Sequence, residues 1–294
     1  AVTRQAINKY EKGQTMPDSR MLIAFSMALG VKPDYFFRPF TVAVDKIMFN
    51  KKTGVSERAV SSIREKVREE LERYLEIEEL CGIRTDFTLE KREVENADDV
   101  RRYAGDVRSK LGLGLDGISN VIEVFEDNGI KIIEISENKS FGGLSGYAND
   151  NIPVIVVNRN LPSEEKRFTL LHELGHLIIG LPAGYDIKEI EHLCNVFASE
   201  MLVPSSVLKG RLGNTRHDIS LAELSDIQKQ YGASIDIIMQ SLKDLGVITG
   251  RRYEGYLKKK KIFPDFNAIV GKSLFISETS GRFVRMVYRA VADE

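Results

Sequence analysis

Two of the four histidines in this 294-residue chain stand four apart, in Leu171-His172-Glu173-Leu174-Gly175-His176-Leu177. Residues four apart share one face of a helix. His172 and His176 can therefore aim ring nitrogens at one metal ion, with Glu173 beside them to hold the water that such an ion activates. That is the chemistry of a zinc-dependent peptidase, with Glu173 as general base; two His and one carboxylate also accept manganese. A catalytic zinc keeps three protein ligands and one open position, so a third ligand has to come from elsewhere. The next helical stretch, Ile187 to Val203, offers Glu189, Glu191 and Glu200. Its apolar stripe is Ile190, Leu193, Cys194, Phe197 and Met201. At about 100° per residue, Glu191 lies on one flank of the stripe, and Glu189 and Glu200 lie on the other. Glu200 follows Glu191 by 9 residues (200 − 191), half a turn out of phase, so the two cannot share an ion. His192 reads as a surface residue. His217 or Tyr147 could serve as a second electrophile, and no motif selects between them.

The elements that must position these groups can be read around them. Ser163 after Pro162 is the expected N-cap of the metal-bearing helix, with Glu164 and Glu165 in its first turn. Phe168, Leu171, Leu174 and Ile178 give it an apolar face, and Gly180 and Pro182 end it. Upstream, Lys131 to Ile135 reads as a strand. Leu144 to Ala148 and Ile152 to Val157 flank Asn149-Asp150-Asn151, a hairpin signal. An edge strand beside the metal helix can hold a substrate backbone by strand addition; Gly146 and Tyr147 are the candidates for that edge, a plain core hairpin being the other reading. Ala97 to Leu111 and Gly117 to Asn128 read as amphipathic helices, and Ser56 to Glu79 as a long charged helix with apolar residues at helical spacing. Thr85 to Asn96 reads as loop. Residues 219–250 form a helical pair capped by Ser220, Arg251 to Lys261 is a basic helix end with interleaved tyrosines, and Phe283 to Val291 is a short terminal strand.

Three blocks together resemble the ImmA/IrrE family of metallopeptidases: residues 142–158 (GGLSGYANDNIPVIVVN), 167–177 (RFTLLHELGHL) and 191–204 (EHLCNVFASEMLVP). The resemblance covers about residues 100–210. Glu191 with Asn195 one turn on is similar to the E-x-x-x-D/N element of gluzincins. That likeness implies that Glu191 is the third zinc ligand and that Asn195 orients a histidine. Members of the family relieve repression by cutting, or otherwise disabling, a partner DNA-binding repressor, and many carry a helix-turn-helix in the same chain.

The amino terminus agrees. Residues 5–14 (QAINKYEKGQ) resemble the recognition helix and following turn of Cro/C1-type (XRE) domains, and residues 21–37 resemble the later helices. The likeness implies that Thr3 caps the recognition helix and that Arg4, Gln5, Asn8 and Lys9 face a major groove. Residues 1–52 hold nine Lys/Arg against four Asp/Glu, which suits phosphate contact. The sequence opens at Ala1 without an initiator Met, inside such a domain, so the expectation is of a partial DNA-binding unit.

Composition sets the outer bounds. A net charge of −1 gives no global pull toward nucleic acid or membrane, and 43% hydrophobic residues is ordinary for a globular chain. Cys81 and Cys194 are too few for a disulfide framework and point to a reducing cytoplasm. No apolar run reaches the roughly 18 residues that span a bilayer. The expected fold is α+β: a partial helix-turn-helix over 1–42, a linker with a long helix over 43–96, a gluzincin-like zinc-peptidase core over 97–212, and a helical region with a short terminal strand over 213–294. The expected function is a zinc endopeptidase, coupled to a DNA-binding domain, that cleaves or inactivates a repressor. The partners are that protein and DNA, with a homodimer left open. The alternative is a non-proteolytic regulator or antitoxin whose peptidase-like domain senses a signal or docks a partner.

Overall fold

The computed structural model describes residues 2–37, 42–44, 47–48, 57–138, 141–182 and 184–292. Two units divide the chain, residues 1–41 and 42–294.

In the first unit, helix α1 (Arg4–Glu11) begins at Thr3, whose hydroxyl oxygen accepts from the Ala6 amide at 3.2 Å. Helix α2 (Ser19–Leu29) begins at Asp18, which accepts from the Met21 amide at 2.8 Å, and ends at Gly30 in the left-handed conformation (φ 68°). A 3-10 turn over Pro33–Phe37 follows. Tyr10 packs edge-on to Phe25 at 6.1 Å between centroids, and Phe25 meets Phe36 at 6.4 Å. Arg4, Gln5, Asn8 and Lys9 all lie on the exposed face of α1. An apolar groove of about 410 Å³ opens between Ile7, Met16, Leu22 and the aromatic trio.

The second unit is built on a four-stranded sheet ordered β1-β4-β5-β3, from β1 (Ile47–Met48), β3 (Lys131–Ile135), β4 (Gly143–Ala148) and β5 (Ile152–Asn158). β4 runs antiparallel to both neighbours, and β3 runs parallel to β5. The β4–β5 turn holds Asn149 and Asp150 at positive φ (46° and 69°), as a tight hairpin requires. Strand alternation then sorts the apolar residues. Ile133, Ile135, Leu144, Ala148, Val154 and Val156 face helix α3 (Glu57–Leu80), burying Ile63, Val67 and Leu71 along with Val42 and Val44. Ile132, Ile155 and Val157 face the main core. That core is formed by α4 (Ala97–Lys110), α5 (Val121–Asp127), α6 (Ser163–Ile178), α7 (Ile187–Leu202), α8 (Ser205–Leu212), α9 (Leu221–Tyr231) and α10 (Ile235–Asp244). A small parallel pair, β2 (Arg92–Glu93) with β6 (Ile179–Gly180), ties the end of α6 to the segment before α4. Among the described residues no helix is long and apolar enough to cross a membrane.

Helices α11 (Gly250–Ile262) and α12 (Pro264–Val270) precede an irregular segment, residues 271–281, that is fastened by buried charge. Glu278 pairs with the fully buried Arg167 of α6, and its other oxygen accepts the first amide of α5, Val121, at 2.9 Å. Glu164, in the first turn of α6, accepts from the Leu274 amide at 2.7 Å, from Gln228 at 3.0 Å and from the Ser273 hydroxyl. Burial opposes ionisation of Glu164, but those hydrogen bonds outweigh it and hold its pKa below the usual range. Lys166 reaches Glu134 at 2.8 Å.

Several sequence expectations need correction. The terminal strand over 283–291 is a helix, α13 (Arg282–Ala292). Its Phe283, Met286, Val287 and Ala290 recur at helical spacing and pack on Tyr74 and Ile77 of α3. Aromatic and β-branched residues favour strands only weakly, and here the tertiary contact decides for the helix. Ser163 is the first helical residue of α6, not its cap; the cap position is Pro162, which offers no side-chain hydrogen bond. The loop over 85–96 contains β2, and the helix expected from Gly117 starts at Val121 behind Asn120.

Candidate metal centre

α6 and α7 pack side by side and carry His172, Glu173, His176 and Glu191. Leu170, Leu171 and Leu174 anchor α6 in the core, each fully buried and worth about 1.5–3 kcal/mol. That anchoring fixes the rotation of α6, so His172 and His176 both turn toward α7. α7 starts from a reciprocal capping box between Asp186 and Glu189, and buries Leu193, Cys194, Val196, Phe197 and Met201. Its phase is thereby set, and Glu191 faces the two histidines.

The result is one convergent cluster. His172 Nε2 and His176 Nε2 lie 3.0 Å apart, and Glu191 Oε2 and Oε1 lie 3.3 and 3.2 Å from them respectively. All three ligand atoms fall within 4.8 Å of one another. A tetrahedron with bonds of about 2.0–2.1 Å has edges of about 3.3 Å, so the donors stand as three corners around a zinc-sized cation. Each imidazole is held from its other nitrogen. His172 Nδ1 is 2.9 Å from Asn195 Oδ1, which fixes the tautomer with the proton on Nδ1 and the lone pair of Nε2 directed at the cluster. Cys194 Sγ lies 3.5 Å from His176 Nδ1, on the side away from Glu191.

The electrostatics express the same convergence. Hydrogen bonds from His172 and His176 hold Glu191 well below the usual carboxylate range. Burial alone would lower His176, but hydrogen bonds to Cys194 and Glu191, with the charge of Glu173, push it up to about 10. Burial raises the Cys194 thiol.

Glu173 is buried at 2% exposure, and Ser145 of β4 donates to its Oε2 at 2.9 Å. Gly143, two residues earlier on the same face of β4, lets the helix come this close. A Cβ there would stand 2.7 Å from Thr169 Cγ2 and 2.9 Å from the Val156 carbonyl oxygen, and 3.4 Å from Glu173 Cγ. The contribution of Ser145 could not be read from spacing, because 28 residues and a strand-to-helix contact separate it from Glu173.

The remaining candidates separate cleanly. Glu189 belongs to the cap of α7, and Glu200 accepts the Ser205 amide at 2.9 Å and hydroxyl at 3.0 Å at the start of α8, so neither joins the cluster. His192 and His217 are exposed. Tyr147 turns toward α6, where its hydroxyl donates to the Leu177 carbonyl at 3.3 Å. The two candidates for a substrate edge, Gly146 and Tyr147, both lie on β4. Gly146 pairs with Val154 on one side and with Ile47 of β1 on the other, so a piece of the chain itself already lies along β4. That two-residue strand gives no periodic signal and falls in a stretch read as linker.

Residues 125–243 match the model of a peptidase family described as IrrE N-terminal-like domain, and residues 2–36 match a family described as helix-turn-helix. The first match contains β3 to β5, both helices of the cluster, α8, α9 and all but the last residue of α10. No curated protein matches the chain.

Proposed function

This chain joins a helix-turn-helix unit to a peptidase domain of the IrrE N-terminal-like kind, and from that premise we propose that it is a zinc-dependent endopeptidase acting on a DNA-binding repressor. The observation that carries the reading is the meeting of His172, His176 and Glu191 beside a buried, hydrogen-bonded Glu173. Two imidazole nitrogens and one carboxylate fit zinc, and they also tolerate manganese. Zinc so held would polarise a peptide carbonyl and acidify water.

The residues of the chain supply the rest. Glu191 contributes the negative charge that draws a cation between two neutral rings. Asn195 keeps His172 in the tautomer that can ligate. Ser145 occupies Glu173 Oε2, so Oε1 is the oxygen that takes a proton from the attacking water and then delivers it to the leaving amine nitrogen. In the first unit, Thr3 caps α1, and Arg4, Gln5, Asn8 and Lys9 stand exposed on it as the groove-facing set. Cleavage of a repressor bound at the same promoter would relieve repression.

The test is to mix the full chain with the repressor encoded beside it, with zinc or with chelator. The expected result is a discrete, zinc-dependent cut that Glu173→Gln slows by at least ~10²-fold while keeping metal and fold. If the repressor stays intact but still loses its operator, the reading shifts to a non-proteolytic regulator with a peptidase-like sensor domain.

A further inference from the structure

The pairing on the outer side of β4 carries an inference about control of this site, which rests on the peptidase reading above. An extended peptide that adds to β4 would have to occupy the side facing away from β5. That side is taken at Ser145 and Gly146, where Met48 and Ile47 pair antiparallel. Ser145 is the residue whose hydroxyl holds Glu173, so the occupied register lies at the level of the general base.

The occupant has a root and a tip. At the root, Val42 and Val44 are buried against α3 and the sheet, while Ala43 between them is exposed. Ala43 O accepts from the Asn149 amide at 3.1 Å, and the Ala43 amide donates to Asn149 Oδ1 at 2.8 Å. At the tip, among the described residues, Ile47 and Met48 of β1 pair with Gly146 and Ser145 of β4. An extended peptide that pairs along β4 competes with this pairing at Ser145 and Gly146. The segment begins at Val42, where the second unit begins.

We propose that β1, rooted through Val42–Val44, is an internal occupant of the substrate edge, and that β1 must release β4 before a peptide can bind there. Release frees one main-chain ladder and exposes β4 beside Glu173, with no change to the metal ligands.

The test uses the full-length chain carrying Glu173→Gln, so that a bound peptide is not cut, and a fluorescent synthetic peptide with the sequence of residues 42–48. In one variant Ile47 and Met48 are both replaced by proline, which removes the amides the ladder needs. In a second, Asn149→Gly removes the root acceptor and keeps the positive-φ turn. Binding is read by fluorescence anisotropy, with folding checked by thermal melting. The expected result is peptide binding at least about tenfold tighter in both variants than in the parent. In the Glu173-containing background, the same variants should cleave the repressor correspondingly faster. Equal peptide affinity in parent and variants, or no binding by any of them, overturns the inference, as does cleavage at the same rate with and without the tip. Tighter peptide binding in variants that never cleave would uphold the occupied edge and count against the peptidase reading instead.

Discussion

At the scale of single residues, the site is a set of donors, each held from behind. His172 presents Nε2 because Asn195 engages Nδ1, and Glu173 presents one oxygen because Ser145 engages the other. Outer partners of this kind set tautomer and orientation, and losing one typically costs about 10–100-fold in metal affinity. Asn195→Ala should therefore weaken zinc binding by about that factor without changing the zinc stoichiometry at saturation, as measured by competition with a chromogenic chelator. An affinity equal to that of the wild type would remove Asn195 from the site. The convergence of His172, His176 and Glu191 was legible in the sequence because one helix fixes the spacing of the histidines, and helical phase with likeness to a known element singles out Glu191. Asn195 came only through likeness to a known element. Ser145 was hidden because no local rule says which strand residue meets a helix.

At the scale of elements, α6 is the helix that must not move. Its amino-terminal turn is held by Glu164, which accepts hydrogen bonds from α9 and from the segment after α12. The folded pKa of Glu164 is depressed, so its contribution to stability is present above the unfolded value of about 4.3 and is lost as pH falls through the folded value. The stability gap between wild type and Glu164→Gln should be full near neutral pH and should shrink on acidification below about pH 4. A gap that does not change with pH in urea titrations would show that Glu164 acts by packing alone. β3 to β5, α6, α7, α9 and α10 were readable from periodicity and turn residues. α13 was not, since its Phe283, Met286, Val287 and Ala290 fit a helix only once α3 offers Tyr74 and Ile77 as the surface to cover. β1 was not readable either, because two residues carry no period.

At the scale of the whole molecule, sequence-distant segments close on one another through buried charge. Arg167 and Glu278 are both almost wholly buried and pair across 111 residues, joining α6 to the carboxy-terminal segment. Breaking such a pair strands a charge without solvent. Glu278→Ala should therefore cost about 3–5 kcal/mol, well beyond the effect of a typical surface substitution, whereas replacing both partners by apolar residues should recover much of the loss. Denaturant unfolding of the single and double variants decides this, and a cost below about 1 kcal/mol for Glu278→Ala would mean that water reaches Arg167. The bipartite organisation was visible as two motif sets with different chemistry. The closure of residues 271–281 onto α5 and α6 depends on a long-range ion pair that no sequence window contains.

The account rests most heavily on the identity of the metal ligands, and metal content measures that directly. Wild type, His172→Ala, Glu191→Ala and Glu200→Ala would be purified, loaded with zinc, desalted and assayed by elemental analysis, with circular dichroism confirming that each is folded. The prediction is about one zinc per chain in the wild type and in Glu200→Ala, whose carboxylate only caps α8, and little in the other two. Zinc content in Glu191→Ala equal to that of the wild type, or a wild type that retains none, would contradict it.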